Sequence, residues 1–572
     1  MNILGIHDGH NAAAALMVDG RIVAAVQEER LTRRKNEVGF PKRAIEEVLS
    51  LGGVRREDLD VIAVAGRGMP ARVRGQDLVD AYTQRGTPMG RLKVRARESA
   101  LFPLYRSLKR GGSRNVRKQQ IRESALDGVR AQFYEHHLCH AAAAYWGSGL
   151  SGEAPVLLLT CDGGGDGLSG SVSIGKGRDI ERMAVIRDSE SLGNIYAITT
   201  FVLGMMPWEH EYKLMGMAPY AREEPGRALA RDFERLLGFQ SGSALVWERG
   251  RQVPPTFGLL PTLQKMLERQ RFDTICAGLQ FFTEDLLVEW VKRCVRETGI
   301  RRLALSGGVF MNVKANKAIL DLEEVETLYV LPSCGDETNA IGACYLAHVE
   351  HEGGTPSPIT DLYLGRGYSR DEVDEALREL REVPGIEVTS PHDLNEAVAR
   401  RIAAGEVVAR CEGRMEFGAR ALGNRSILAN PSESKVIRVI NDMIKKRDFW
   451  MPFAPSLLPE HSGKYIVNPK EFAAPYMIMA FDTREDAGDQ IEAALHPYDR
   501  TCRPQEVDRA WNPDYYEIIS AFHDLTGIAG VLNTSFNLHG FPIVRSPSDA
   551  IEVFRNSGLN HLVMGPYLVS KR

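Results

Sequence analysis

Apolar and polar positions alternate in short runs broken by glycine from the first residues onward. Residues 3–6 read as a buried strand, Asp8-Gly9 interrupts it, and 12–18 resumes it. Asp19-Gly20 is a hairpin signal, and 21–27 returns as a strand. The stretch 156–178 repeats this plan: VLLLTC, the loop Asp162-Gly163-Gly164-Gly165-Asp166-Gly167, SGSVSIG, then a Gly-Lys-Gly turn. Apolar spacing through Leu279, Phe282, Leu286, Trp290 and Val291 predicts a helix over 271–299. Strands are predicted at 303–312 and 325–333. The polar segment Cys334-Gly335-Asp336-Glu337-Thr338 and a small-residue helix from 339 to about 349 follow.

Two strand, Asp-Gly loop, strand units with a later strand, Gly-Gly loop and helix predict an α/β chain whose first part is a duplicated actin-like domain. The Gly/Pro-rich stretch 351–359 is the best linker, dividing 1–355 from 356–572. The second part reads as α/β, with a helix at 370–382, strands at 406–411 and 529–533, and a turn at Asn533-Thr534-Ser535. Residues 66–130 stand apart as a variable insertion. Between Arg91 and Lys118 there are ten Lys or Arg and one acid, Glu98. Without interleaved stacking aromatics this reads as a solvated insertion. It is also the expected source of acceptor specificity.

Composition narrows the class. Of 572 residues 44% are hydrophobic and 26% charged, which excludes a mainly disordered chain. A net charge of −4 gives no overall basic footprint for nucleic acid. Eight cysteines without a CxxC pair indicate neither a disulfide framework nor a thiolate zinc knuckle. The start MNILGIHDGH lacks the features of a signal peptide, and no apolar run is long enough to span a bilayer. The expectation is a cytoplasmic protein with no membrane partner.

The sharpest chemical signal is His136-His137-Leu138-Cys139-His140 before four alanines. On a helix, His136 and His140 share one face and can hold one metal, or they are two unrelated histidines. No glutamate completes an HExxH metalloprotease motif. Asp162 and Asp336 end strands in glycine-flanked turns. With the two imidazoles they make a set suited to Fe(II), Mn(II) or Zn(II), although either could be a turn or capping residue. Gly163–Gly167 and Ser306-Gly307-Gly308 are phosphate-loop candidates. Gly165–Gly170 fits G-x-G-x-x-G, but a strand follows where a Rossmann helix is required, and no Walker A motif is present. In the second part, GRMEFGARALGNR (413–425), Lys445-Lys446-Arg447, Arg503 and Asn533-Thr534-Ser535-Phe536-Asn537 offer the donors a phosphorylated substrate needs. Asp8, on the first loop, is a candidate base, with His10 beside it; Lys35 lies in a charge run.

Together these motifs resemble the O-carbamoyltransferases of natural-product and nodulation-factor biosynthesis, such as the tobramycin, cephamycin and ansamycin carbamoyltransferases. The match runs through VQEERLTRRK, HHLCHAAAAY, LTCDGGGDG, YKLMGMAPY, LSGGVFMN, GDETNAIGA, GRMEFGARALGNRSIL, KKRDFWMPFAPS and VLNTSFN, in order along almost the whole chain. The resemblance implies an N-terminal domain similar to the actin-like half of the threonylcarbamoyl-tRNA machinery and a C-terminal YrdC-like domain. The latter would convert carbamoyl phosphate and ATP to carbamoyl adenylate, with Mg available to the nucleotide. The former would pass the carbamoyl group to a hydroxyl at a metal centre of His136, His140, Asp162 and Asp336, Fe(II) preferred over Zn(II) or Mn(II). Lys35, Arg420, Lys445, Arg503 and Asn533 match positions that contact carbamoyl phosphate or nucleotide, with Arg447 added. Ser535, Gly164, Gly165, Gly307, Gly308 and Asn312 complete that expected set. Asp8 and Met477 match acceptor-side positions, and Asp8, His10 and Lys35 are the expected catalytic residues. Where a basic residue often follows the tryptophan of KxRxxW, Met451 stands here. The expected partner is a small-molecule alcohol such as a polyketide or aminoglycoside, not nucleic acid. A homodimer is one assembly left open. Competing readings are an actin-like ATPase or sugar kinase, a threonylcarbamoyl-tRNA enzyme, and an inert nucleotide-binding protein.

Overall fold

In a computed structural model, which describes residues 1–97, 102–239, 244–445 and 448–572, the chain forms two units. One comprises 1–28 and 36–360, the other 29–35 and 361–572. The short segment 29–35 leaves the first unit and belongs to the second, an exchange that a division into contiguous domains does not foresee.

The first unit contains two five-stranded sheets of identical topology. The first has β1 (Asn2–His7), β2 (Ala13–Val18), β3 (Arg21–Gln27), β4 (Val61–Ala65) and β5 (Arg130–Tyr134), in the order β3-β2-β1-β4-β5. The second has β6 (Val156–Gly165), β7 (Leu168–Lys176) and β8 (Asp179–Arg187). After a small hairpin, β9 (Leu237–Gly238) and β10 (Glu248–Arg249), β11 (Arg302–Ser306) and β12 (Thr327–Val330) complete the order β12-β11-β6-β7-β8. In both, three antiparallel strands are extended by two parallel ones. This is the duplicated actin-like plan. Each meander turns on an Asp-Gly pair with the Asp left-handed, Asp19 at φ 47° and Asp166 at φ 53°, the conformation a tight hairpin requires.

Several boundaries differ from the sequence pattern. The reading of 162–167 as one loop is corrected: β6 runs on to Gly165 through a bulge, and only Asp166-Gly167 turns. The strand expected at 303–312 stops at Ser306, because Gly307 adopts φ 103° and 308–311 is a single 3-10 turn. The strand at 325–333 contracts to β12. The basic insertion carries helices Gly75–Arg85, Pro88–Arg97 and Phe102–Glu123.

Helices His136–Gly147 and Asn339–Glu352 pack between these sheets at very short range. A Cβ on Gly342 would lie 1.9 Å from the Cys139 carbonyl oxygen, so only glycine permits the crossing. That crossing brings the start of one helix, with its histidines, to the start of the other, with Asp336 just before it.

The second unit is a mixed eight-stranded sheet in the order β13-β20-β19-β14-β15-β18-β16-β17. Its strands are β13 (Ile386–Thr389), β14 (Val408–Cys411), β15 (Arg425–Ala429), β16 (Ala454–Leu457), β17 (Gln505–Glu506), β18 (Gly530–Ser535), β19 (His561–Met564) and β20 (Tyr567–Lys571). Asn533, Thr534 and Ser535, expected as a turn, are the last residues of β18, hydrogen-bonded across to β15. The eight cysteines are buried. Among the described residues no helix is long and apolar enough to cross a membrane.

Candidate active site

The metal-ligand candidates converge. His136, His140, Asp162 and Asp336 each offer a ligand atom, and these atoms lie within 4.8 Å of one another. His140 Nε2 is 3.6 Å from Asp162 Oδ2 and 3.5 Å from Asp336 Oδ1, and His136 Nε2 is 3.6 Å from Asp336 Oδ1. Tetrahedral ligands at about 2.1 Å from an ion stand about 3.4 Å apart, so these separations are the edges of a cation site. The fourth edge is shorter, 2.8 Å between His136 Nε2 and Asp162 Oδ2. The residues fit a divalent cation in both spacing and chemistry, two imidazole nitrogens and two carboxylates.

Local sequence builds this cluster. Glu135 caps the helix, accepting the N–H groups of His137 and Leu138, and is itself bound by Arg182. Asp166 accepts the His136 N–H at 3.0 Å. Ser306 Oγ lies 3.2 Å from His140 Nδ1 and orients that ring toward the cluster. Asn339 Nδ2 approaches His140 Nε2 at 3.1 Å, a contact that an ion held there would displace.

The electrostatics are those of a charged, buried site. Burial pushes the His136 imidazole down, but Asp336 and Asp162 outweigh it and hold the group at about 10. Burial raises Asp162 and Asp336, yet the surrounding imidazoles keep both well below the usual carboxylate range. Two anions at this depth require cations beside them.

Gly165 proves to be part of this centre rather than a free phosphate cradle. A Cβ there would stand 2.2 Å from His136 Cγ. Gly165→Ala is therefore expected to displace the ring and weaken metal affinity about 10–100-fold. Chelator competition checks this, and unchanged affinity would mean the ring has another place to sit. Gly164 and Gly308 are exposed, leaving backbone there open to an anion, whereas Gly307 is buried. Asn312 is corrected as a nucleotide contact: it caps helix Val313–Leu320 and exchanges two amide hydrogen bonds with Gln280 at 2.9 and 3.0 Å.

Asp8 is also corrected. Its carboxylate is fully buried and takes Arg117 Nε at 2.8 Å, Arg117 Nη2 at 2.5 Å and Arg72 Nη2 at 2.8 Å. Burial raises its pKa, but the two guanidiniums hold it below the ordinary value, so it is a poor base and a good anchor. His10 is half-buried, its ring 5.5 Å from Trp208, and its carbonyl lies 3.0 Å from His7 Nε2.

Two residues escaped sequence reasoning. His7 Nε2 is 3.7 Å from Asp336 Oδ2, and burial lowers its pKa to about 4. His137 Nε2 is 3.3 Å from Asp162 Oδ1, while its Nδ1 meets Thr160 Oγ1 at 2.9 Å. The His-His doublet was the available signal for His137. Nothing in spacing distinguishes His7.

In the second unit, Lys445 is buried and donates to Ser535 O, to Ser535 Oγ at 3.0 Å and to Asn537 Oδ1 at 2.8 Å. Asn533 Nδ2 donates to Ala421 O at 3.2 Å and Ser456 Oγ at 3.1 Å, and its Oδ1 is buried without a hydrogen-bond partner among the described residues. The loop that carries Arg420 is fastened by Glu416 Oε1, which accepts the N–H groups of Leu422, Asn424 and Arg425. Arg420 and Arg503 are half-buried. Arg425, grouped with them by sequence, is instead buried and donates to backbone carbonyls. Lys35 belongs to this unit through segment 29–35. Met477 is buried here at φ 55°, whereas Asp8 lies in the first unit. Arg447 lies outside the described residues.

Residues 2–345 match the family model described as carbamoyltransferase N-terminus, and 399–571 match that of carbamoyltransferase C-terminus. Nodulation protein NolNO of Sinorhizobium fredii is 34% identical over 579 residues, covering 98% of this chain and 79% of that protein. The 3'-hydroxymethylcephem-O-carbamoyltransferase of Amycolatopsis lactamdurans is 30% identical over 263 residues, covering 46% and 48%. The solved structure of T. kodakarensis HypF aligns over 62% of this chain and 48% of that one, with 15% identity and a TM-score of 0.33.

Proposed function

This chain belongs to the carbamoyltransferase family, and from that premise we propose that it is an ATP-dependent O-carbamoyltransferase with two separate sites. The second unit activates carbamoyl phosphate with ATP, and the first transfers the carbamoyl group to an alcohol.

Activation is a problem of charge. Carbamoyl phosphate and ATP are polyanions, and Arg420, Lys445 and Arg503 supply the neutralising cations, with Lys35 from the exchanged segment. Water and carbamoyl phosphate give carbamate and inorganic phosphate. A carbamate oxygen then forms a bond to the α-phosphorus of ATP as pyrophosphate leaves, giving carbamoyl adenylate. In the first unit the acceptor oxygen attacks the carbamoyl carbon, the bond to the AMP oxygen breaks, and the alcohol proton is released.

His136, His140, Asp162 and Asp336 would hold a divalent cation, Fe(II) first among the choices, which would polarise the carbonyl or template the phosphate. Ser306 orients His140, Gly165 makes room for His136, and Asp8 anchors the first loop rather than serving as base. The observation that carries this reading is the approach of two imidazoles and two carboxylates to one point in the first unit.

The test is pyrophosphate release. Purified protein is expected to release pyrophosphate from ATP only when carbamoyl phosphate is added, with an alcohol carbamoylated in turn. Carbamoylation without nucleotide, or transfer of the ATP γ-phosphate to a sugar, would replace this reading.

A further inference from the structure

The basic insertion is unexplained by the reaction so far. Residues 66–130 contain sixteen Lys or Arg and five Asp or Glu, a net charge of +11 in a chain whose total is −4. So uneven a distribution is a local electrostatic device.

Its two ends are tied to the metal centre. At the start, the Arg67 and Gly68 N–H groups donate to Asp166 at 2.7 and 2.6 Å, and the same carboxylate holds the His136 N–H. At the end, Arg117, 1% exposed, grips Asp8 with two hydrogen bonds and donates to the Gly66 carbonyl at 2.6 Å. Asp8 follows His7, whose Nε2 is 3.7 Å from Asp336.

Arg72 makes the arrangement informative. It is the second guanidinium on Asp8, also donates to Gln120 Oε1 at 3.2 Å, and keeps 27% of its side chain exposed. Its Nε is buried and has no hydrogen-bond partner among the described residues. One carboxylate shared by two guanidiniums leaves a positive charge at the residue that follows His7. A partly exposed guanidinium with an unpartnered donor suits an oxyanion.

We propose that Arg72 binds an anionic group, a phosphate or carboxylate, on the acceptor alcohol, and that the basic insertion draws such acceptors to the transfer site. The proposal rests on the carbamoyl-transfer reading and names its substrate class: an acidic hydroxyl compound in place of a polycationic aminoglycoside. It also gives Asp8 its role, since the buried anion holds Arg72 in place.

The experiment uses the full-length, metal-loaded protein with its nucleotide site saturated by a non-hydrolysable ATP analogue. Glucose 6-phosphate, glucose and glucosamine are titrated by calorimetry. Glucose 6-phosphate is expected to bind at least about tenfold more tightly than glucose, less so as salt is raised. Arg72→Gln is expected to erase that preference, and Arg72→Lys to restore part of it, with thermal midpoints verifying that both variants fold. Equal affinities, no binding of any of the three, tighter binding of glucosamine, or a preference untouched by Arg72→Gln would each overturn the assignment. So would tighter binding of a single-stranded oligonucleotide lost in the same variant, which would make the segment a nucleic-acid surface. Pyrophosphate release dependent on carbamoyl phosphate is measured separately. Loss of the sugar preference alone sinks this inference, whereas loss of pyrophosphate release sinks the reading beneath it.

Discussion

His140→Ala is expected to abolish carbamoyl transfer while carbamoyl phosphate-dependent pyrophosphate release survives. His140 supplies one of the four ligand atoms of the cluster, its Nε2 within 3.6 Å of both carboxylates. Without that nitrogen the cation loses a ligand. Metal chemistry contributes several kcal/mol to the transition state, so transfer should fall by about 10³-fold or more. The proposed adenylation donors lie in the other unit, on β18 and the loops around 420 and 503. Metal content per chain, transfer rate and pyrophosphate release are measured on one preparation. His140→Gln accompanies it, because removing a fully buried ring also leaves a cavity. Equal loss of both half-reactions in both variants, with the fold intact, would refute the division of labour.

The converse is expected of Arg420→Ala. Pyrophosphate release should drop about 10²–10³-fold, the usual cost of removing one donor aimed at developing charge, while metal content stays at the wild-type level. Glu416 fastens the loop through three backbone N–H groups independent of the Arg420 side chain, so the loop keeps its shape. Unchanged pyrophosphate release would remove Arg420 from the activation site. Loss of metal along with it would mean that the two chemistries are not separate.

Much of this was legible from residues alone, and where it was not, the reasons are physical. Asp19-Gly20 announced the first hairpin, since few residue pairs tolerate that backbone. The i, i+4 histidines announced a shared helix face. Asp162 and Asp336 joined them only through the crossing at Gly342, a tertiary contact that no local pattern encodes. Asp8 looked like a base because an Asp beside Gly on a loop is usually solvated. Its burial against Arg117 depends on a helix more than a hundred residues away. The loop at 162–167 and the strand at 303–312 were misread for one reason: glycines permit both extension and reversal, and neighbouring strands decide which. The exchange of 29–35 into the second unit left no trace in composition, because a charge run looks the same on any surface.

The most direct measurement is anomalous X-ray scattering at metal absorption edges, on crystals of protein purified without chelator. A single peak at roughly 2.0–2.3 Å from His136 Nε2, His140 Nε2, Asp162 Oδ2 and Asp336 Oδ1 is the expected result. No peak among those four atoms in protein that still carbamoylates its acceptor, or a stoichiometric ion bound elsewhere, would contradict the account.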